Sequence, residues 1–272
     1  MLHTEERNPN STHIDKMNTA EMVWLIHQED EHALKAVEAV LPQVVKAVDA
    51  IADGMRRGGR LIYVGAGTSG RLGVIDAAEC PPTYGVSPDV VQALIAGGLK
   101  TMSRAAENEE DNREKGAEEL CALHPTANDV VCGLSASGGA AYVLGALEAA
   151  KAAGCVTVCV CANPGSPLDL AADIPISPDT GAEVITGSTR MKAGTAQKLI
   201  LNMLSTCAMV QTGKVYENLM INLRPVNIKL TQRMISIVTE LTDYDETEAE
   251  AALQAHNWSI RETVDAARGG KR

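Results

Sequence analysis

Arg60-Leu61-Ile62-Tyr63-Val64-Gly65-Ala66-Gly67-Thr68-Ser69-Gly70 passes from a short apolar run straight into a glycine-rich turn. The run shows no polar alternation, which fits a parallel strand covered on both faces. Small residues at 65–70 then permit a tight turn into a helix. The same grammar recurs at Asp129-Val130-Val131-Cys132-Gly133-Leu134, which stops at Ser135-Ala136-Ser137-Gly138-Gly139. It recurs again at Val156–Cys161, which stops at Asn163-Pro164-Gly165-Ser166. Val90–Ile95, ending at Ala96-Gly97-Gly98, reads as a further strand. Ala-rich helical stretches such as Ala140–Ala153 lie between the runs. Strand, turn and helix in alternation predict an α/β fold with an open, mostly parallel sheet flanked by helices.

Outward from this centre the periodicity is helical. Thr19–Ala52 reads as helix, restarted at Leu41-Pro42, with Val44, Val45, Val48 and Ile51 at helical spacing. Gly187–Gly213 predicts one long amphipathic helix, and about 226–268 a small helical appendix. The expected division is a helical segment over 1–50, a ligand-binding α/β domain over 51–218 and a helical region over 225–272, with a frayed tail from Arg268 to Arg272.

The net charge of −11 offers no basic patch for nucleic acid or an anionic membrane. It leaves room for a small anion held by backbone N–H groups at helix ends. The seven cysteines include no C-x-x-C pair, and the six histidines show no metal-ligand spacing, so no zinc site is expected. Cys155, Cys159 and Cys161 read as small buried hydrophobes in a reduced compartment. The polar start, Met1–Arg7, is not a signal peptide, and no apolar stretch is long enough to span a bilayer. The expected location is the cytoplasm.

Gly65-Ala66-Gly67-Thr68-Ser69-Gly70 matches G-x-G-x-x-G, but a dinucleotide site also needs an acid at the end of the second strand. Ala96-Gly97-Gly98 offers none, which argues against a nicotinamide oxidoreductase. The hydroxyls of Thr68 and Ser69 at a helix start favour a phosphate monoester. Ser135-Ala136-Ser137-Gly138 repeats the theme, and Ser135 and Ser137 are candidate phosphate donors. Two such turns after two parallel strands are expected to converge at one sheet edge.

Three carboxylates are candidates. Glu79 precedes Cys80-Pro81-Pro82; Pro81 disfavours helix at Cys80, so the helix should end there and leave Glu79 beside a rigid turn. Glu110 lies in the acidic run Glu107–Asp111, which by pattern alone is an ordinary solvated surface. Glu183, ahead of the long helix, is either a ligand contact or an acid that complements that helix's N-terminus.

Taken together, Thr4–Asn10, Gly59–Gly73, Glu79-Cys80-Pro81-Pro82-Thr83-Tyr84-Gly85 and Gly181–Thr206 resemble N-acetylmuramic acid 6-phosphate etherases. That family belongs to the sugar isomerase (SIS) superfamily and is related to the glucokinase regulatory protein. The resemblance spans about residue 4 to about residue 256. It implies a flavodoxin-like three-layer SIS fold, a homodimer, no metal and no cofactor, and a role in recycling or scavenging cell-wall sugar. The family's two catalytic glutamates map onto Glu79 and Glu110. The second mapping sets Glu107-Asn108-Glu109-Glu110-Asp111 against the family's Glu-Gly-Ala-Glu-Asp. A departure stands at the second turn: the family has Ser-Gly-Arg-Thr-Pro-Tyr where this chain has Ser137-Gly138-Gly139-Ala140-Ala141-Tyr142. The missing Arg and Thr are strong phosphate or sugar donors, and Arg190 and Lys192 are candidate replacements.

The implied reaction splits the D-lactyl ether of an amino-sugar 6-phosphate, with Glu79 as acid and Glu110 as base. A sugar-phosphate sensor without turnover and an amino-sugar phosphate isomerase with Glu183 as its base are the alternatives on the same fold.

Overall fold

The computed structural model describes residues 2–104 and 109–269. Glu107 and Asn108 of the acidic run and the final tail residues lie outside the described residues. The chain divides into two compact units, Met1–Ala78 with Asp89–Ala208, and Glu79–Pro88 with Met209–Arg272.

The first unit opens with two helices, α1 (Thr19–Ala39) and α2 (Leu41–Arg56). Asn18 and Glu21 form a reciprocal capping box at the start of α1. Pro42 occupies the first turn of α2; Val44, Val48 and Ile51 are buried, whereas Val45 of the same spaced set is 58% exposed. The sheet elements follow: β1 (Leu61–Gly65), α3 (Gly67–Tyr84), β2 (Val91–Ile95), α4 (Arg113–Cys121), β3 (Val130–Leu134), α5 (Ala141–Ala152), β4 (Val156–Val160), α6 (Pro167–Ala171) and β5 (Ile174–Ile176). The long helix α7 (Lys192–Gln211) comes next. It starts five residues later than the sequence suggests, because 187–191 form turns that deliver the chain to Lys192.

All five strands are parallel, in the order β2-β1-β3-β4-β5. The sequence missed β5: Ile-Pro-Ile is short and holds a proline, which a sheet tolerates only at its edge. Alternation along β1 divides the core. Ile62 and Val64 face the layer of α5 with Val143, Ala146 and Leu147. Tyr63 faces the opposite layer, where its hydroxyl donates to Asp76 Oδ2 of α3 at 2.8 Å. Asn202 Nδ2 at 2.7 Å and Ser205 Oγ at 3.2 Å, both from α7, donate to Asp76 Oδ1. Burial raises the Asp76 pKa against these bonds, so the carboxyl is a costly group that survives by tying β1, α3 and α7 together.

Helix α3 departs from expectation. It runs through Pro81 and Pro82 to Tyr84 instead of ending before them. Proline's fixed φ is itself helical, and what the two rings remove is the N–H donors to the carbonyls of Ala77 and Ala78. The last turn closes with Gly85 N donating to Pro81 O at 2.9 Å, and Gly85 ends it at φ 65°.

In the second unit a hairpin, β6 (Val215–Tyr216) and β7 (Leu219–Met220), precedes α8 (Ile228–Leu241), α9 (Glu246–Ala255) and α10 (Ile260–Gly269). Met234, Val238, Leu253, Ile260 and Val264 are among its core residues. Arg261 and Arg268 both stack on the Tyr216 ring, at 5.8 and 5.4 Å. Among the described residues of the whole chain, no helix is long and apolar enough to cross a membrane.

Helices α4 and α5 meet backbone to backbone. A Cβ on Gly116 would lie 1.9 Å from Tyr142 O, and one on Gly145 2.0 Å from Arg113 O. Gly116→Ala therefore destabilises the protein by about 1–3 kcal/mol in urea unfolding, because overpacking against backbone outweighs alanine's better helix propensity.

Candidate functional site

Gly65 pairs with Leu134, so β1 and β3 end at one level and the loops that follow start side by side. The chain then leaves for opposite faces of the sheet, through α3 after β1 and through α5 after β3. In an open parallel sheet this switch point leaves a crevice beyond the carboxyl ends of the strands.

The first loop is built by close approach. A Cβ on Gly65 would lie 2.7 Å from the Gly70 Cα, and one on Gly70 2.8 Å from Gly65 O. Gly67 adopts φ 53°, and Thr68 and Ser69 form the first turn of α3. Buried Ser69 donates its hydroxyl proton to Gln197 Oε1 at 2.9 Å, and Gln197 Nε2 donates to Val160 O at 3.2 Å. Half-buried Thr68 lies beside Gly194 of α7, whose Cβ would sit 3.7 Å from the Thr68 methyl. Arg71 donates to the carbonyls of Thr101 and Met102 at 2.9 and 3.3 Å.

In the second loop, Gly138 N donates to Ser135 Oγ at 3.1 Å and Gly139 N to Ser137 Oγ at 3.2 Å. A hydroxyl that accepts an amide keeps its own proton free to donate. The two hydroxyl oxygens lie 3.4 Å apart. Gly138 adopts φ 75°, and a Cβ there would fall 2.0 Å from Ser166 Oγ, so the loop is seated directly on the start of α6. At the position where the family motif carries Thr, Ala140 is the N-cap of α5 and makes no side-chain cap bond. That leaves the first amides of the helix to solvent or ligand.

The start of α7 completes this edge. Ala136, Ala162 and Ala193 pack together, joining the second loop and the end of β4 to α7. Fully buried Glu183 accepts from Lys192 N at 3.1 Å and Ala193 N at 3.0 Å, so both of its oxygens are spent on the helix N-terminus. Burial raises its pKa, and these two amides pull the other way.

Lys192, a candidate donor for the missing arginine, is buried and donates from Nζ to Glu29 Oε2 at 2.6 Å. The same carboxylate accepts from Asn8 Nδ2 at 2.7 Å and Asn10 Nδ2 at 2.8 Å. Burial alone would raise the Glu29 pKa; the bonds from Asn10, Lys192 and Asn8 outweigh it and hold the carboxyl below its ordinary value. Arg190 is exposed and makes no hydrogen bond or ion pair among the described residues.

Both expected catalytic glutamates are exposed. Glu110 lies in the 3-10 turn Glu109–Asp111, which packs on α5, and its carboxylate makes no hydrogen bond among the described residues. Glu79 lies on α3, within the second compact unit. Among the described residues one group has metal-ligand spacing: the ligand atoms of Cys159, Cys161 and Asp169 lie within 4.8 Å of one another. Protein groups already serve these atoms. Cys161 Sγ lies 3.1 Å from Ser177 Oγ and 3.4 Å from Ser166 Oγ, and Asp169 Oδ2 accepts from Gly165 N at 2.8 Å.

Sequence reasoning missed Asn8, Glu29, Asn163 and Gln197 as parts of this edge. Each is an ordinary polar residue within its own segment; Asn8 alone carried a signal, through the Thr4–Asn10 motif.

A family model for the glucokinase regulatory protein N-terminal SIS domain matches residues 43–151. An N-acetylmuramic acid 6-phosphate etherase 2 from Vibrio parahaemolyticus is 55% identical over 254 residues, covering 93% of this chain and 85% of that protein. An N-acetylmuramic acid 6-phosphate etherase from Photorhabdus laumondii is 54% identical over 250 residues, covering 92% and 83%. Among solved structures, a phosphoheptose isomerase from Francisella tularensis superposes with TM-score 0.54 at 17% identity, over 71% of this chain and 98% of that one. A phosphoheptose isomerase from Neisseria gonorrhoeae gives 0.54 at 18%, over 70% and 98%. At such identities these two structures establish a shared fold.

The buried pair yields a stability prediction. Lys192→Met strands the Glu29 carboxylate and costs about 3–5 kcal/mol in urea unfolding. Because the Glu29 pKa is depressed, its contribution is complete above the unfolded carboxylate value of 4.5 and fades as pH falls through the lower folded value. Glu29→Gln should therefore flatten the loss of stability on acidification from about pH 5 to about pH 3.

Proposed function

We infer the chemistry from one premise: this chain belongs to the N-acetylmuramic acid 6-phosphate etherase family. It is a carbon–oxygen lyase that cleaves the D-lactyl ether of N-acetylmuramic acid 6-phosphate to give N-acetylglucosamine 6-phosphate and D-lactate. The observation that supports a phosphate site at the sheet edge is the pairing of Gly65 with Leu134, which starts both hydroxyl-bearing loops at one level.

The 6-phosphate is held by the hydroxyls of Thr68, Ser135 and Ser137 and by the open N-terminal amides of α3 and α5. Ser69 contributes its backbone N–H, since Gln197 holds its hydroxyl. Glu183 serves the site by fixing the first turn of α7. These groups are neutral, so phosphate binding relies on directed N–H and O–H donors and helix ends within a chain of net charge −11. The phosphate is a remote handle, and its binding energy positions the reacting carbons.

In the open-chain sugar the C2 proton is acidified by the C1 aldehyde. Glu110 removes it as the general base. Glu79 protonates the ether oxygen on C3, so lactate leaves as an alcohol and a C2–C3 double bond forms. Water then adds at C3: its oxygen bonds to carbon, one proton goes to the ionised Glu79, and C2 recovers a proton from Glu110. This sequence returns both carboxyls to their starting states. Each role typically contributes about 10²–10⁴-fold to the rate.

The protein acts as a homodimer. Val23, Trp24 and Leu34 of α1 are 61, 64 and 59% exposed, an apolar surface suited to a second copy. Its place is the cytoplasm, where it recycles or scavenges cell-wall amino sugar without a metal or cofactor.

Incubation with N-acetylmuramic acid 6-phosphate should release D-lactate, and in heavy water the sugar product should carry deuterium at C2. Glu79→Gln should lower turnover by at least about 10²-fold; near-wild-type release would remove Glu79 from the mechanism. Glu110→Gln should abolish deuterium incorporation at C2. Light scattering should report twice the chain mass.

A further inference from the structure

Asn163, just beyond β4, is 2% exposed, and its side chain joins three segments distant in sequence. Its Nδ2 donates to Ala136 O at 3.1 Å and Ser137 O at 3.3 Å in the second loop, and to Thr4 Oγ1 at 2.9 Å. Its Oδ1 accepts from Thr4 N at 3.3 Å. Thr4 itself is 0% exposed. An amide nitrogen carries two hydrogens, so three acceptors share them, and Thr4 takes the shortest of the three bonds.

The consequence lies in the peptide between Ala136 and Ser137. Ala136 O is held from two sides, by Asn163 Nδ2 and by Ala162 N at 2.9 Å. A trans peptide is planar, with its N–H directed opposite to its C=O. Ser137 N–H therefore points away from Asn163, and it takes no partner among the described residues. The next amide, Gly138 N–H, is already taken by Ser135 Oγ. The Ser137 N–H is thus left open among the described residues, and its direction is set by Asn163.

Thr4 belongs to an N-terminal segment anchored along its length. His3 Nδ1 bonds Asp179 Oδ2 at 2.8 Å, Asn8 Nδ2 donates to Ala182 O at 3.0 Å, and Ser11 Oγ donates to Val184 O at 2.7 Å. This segment reaches the loop through the Thr4–Asn163 pair. The loop here carries Gly139 and Ala140 where the family motif has Arg and Thr, so backbone donors bear more of the phosphate.

We propose that Thr4 and Asn163 are positioning residues for substrate binding, through which the N-terminal segment aims Ser137 N–H at the sugar phosphate. The inference rests on the assignment of this crevice to the phosphate. Loss of the Thr4 hydroxyl frees Asn163 Nδ2 to turn from the loop carbonyls, and the Ala136–Ser137 peptide then samples other orientations. Binding weakens while chemistry on the bound molecule proceeds as before.

The test compares Thr4→Val, which keeps the shape and removes the hydroxyl, with Thr4→Ser, which keeps the hydroxyl. KM and kcat for D-lactate release are measured alongside the Kd for N-acetylglucosamine 6-phosphate by calorimetry. Thr4→Val should raise KM and Kd by about tenfold with kcat within about twofold, and Thr4→Ser should restore both toward wild type. Unchanged KM and Kd in Thr4→Val would overturn the proposal. So would a fall in kcat at constant KM, the signature of a smaller folded fraction. If the wild type binds the sugar phosphate but releases no D-lactate, the etherase reading fails and the Kd series still decides the role of Thr4.

Discussion

The side-by-side pairing of β1 with β3, Gly65 opposite Leu134, is the constraint on which the first unit depends. With β1 inside the sheet, a helix that leads to β2 must leave toward one face and a helix that leads from β3 to β4 toward the other, because parallel crossovers share one hand. The two turns between strand and helix cannot cover each other. Both turns begin at the same level of the sheet, each leading into the N-terminus of the helix that follows. Glycines at 65 and 70 close the first turn tightly, and the alanines at 136, 162 and 193 pack the second loop and the end of β4 against α7.

That edge is held by buried charge, which is costly unless every lone pair has a partner. Glu183 meets two amides of α7, and Glu29 meets Lys192, Asn8 and Asn10. These bonds are directional where apolar packing is not. They position the start of α7 and the N-terminal segment against the loops. Asp76 does the same work deeper in the layer, between β1, α3 and α7. The protein thus spends its buried polar groups on holding backbone segments in place around this edge.

The proposed phosphate site, built from neutral donors, suits a reaction whose barrier lies several bonds away. In the mechanism we propose, phosphate binding orients the sugar more than it activates it, since the aldehyde acidifies C2 and Glu79 and Glu110 are assigned the proton transfers. In that proposal, Gly139 and Ala140, standing where the family motif has Arg and Thr, move the burden from side chains to the peptide backbone. The order of that backbone then matters more than it would beside a guanidinium.

The parallel sheet, the two loops and the family were legible along the chain because each rests on local chemistry. Unbroken apolar runs end at glycine-rich turns, and motifs such as Glu79-Cys80-Pro81-Pro82-Thr83 are contiguous. Expectations became less reliable where neighbours in space overrule neighbours in sequence. Pro81 signals a break, yet the helix, tied down at Asp76 and closed by Gly85, runs on through it. Ile174-Pro175-Ile176 carries too few residues to announce a strand, and pairing with β4 makes it one. Lys192 reads as a free cation until Glu29, 163 residues away in sequence, claims it. Asn163 reads as a loop residue until folding sets Thr4 and the second turn against its amide. Residue order thus fixes which backbone each segment prefers. Which polar groups find partners, and which are left open for a ligand, is decided only when segments far apart in the chain lose water against one another.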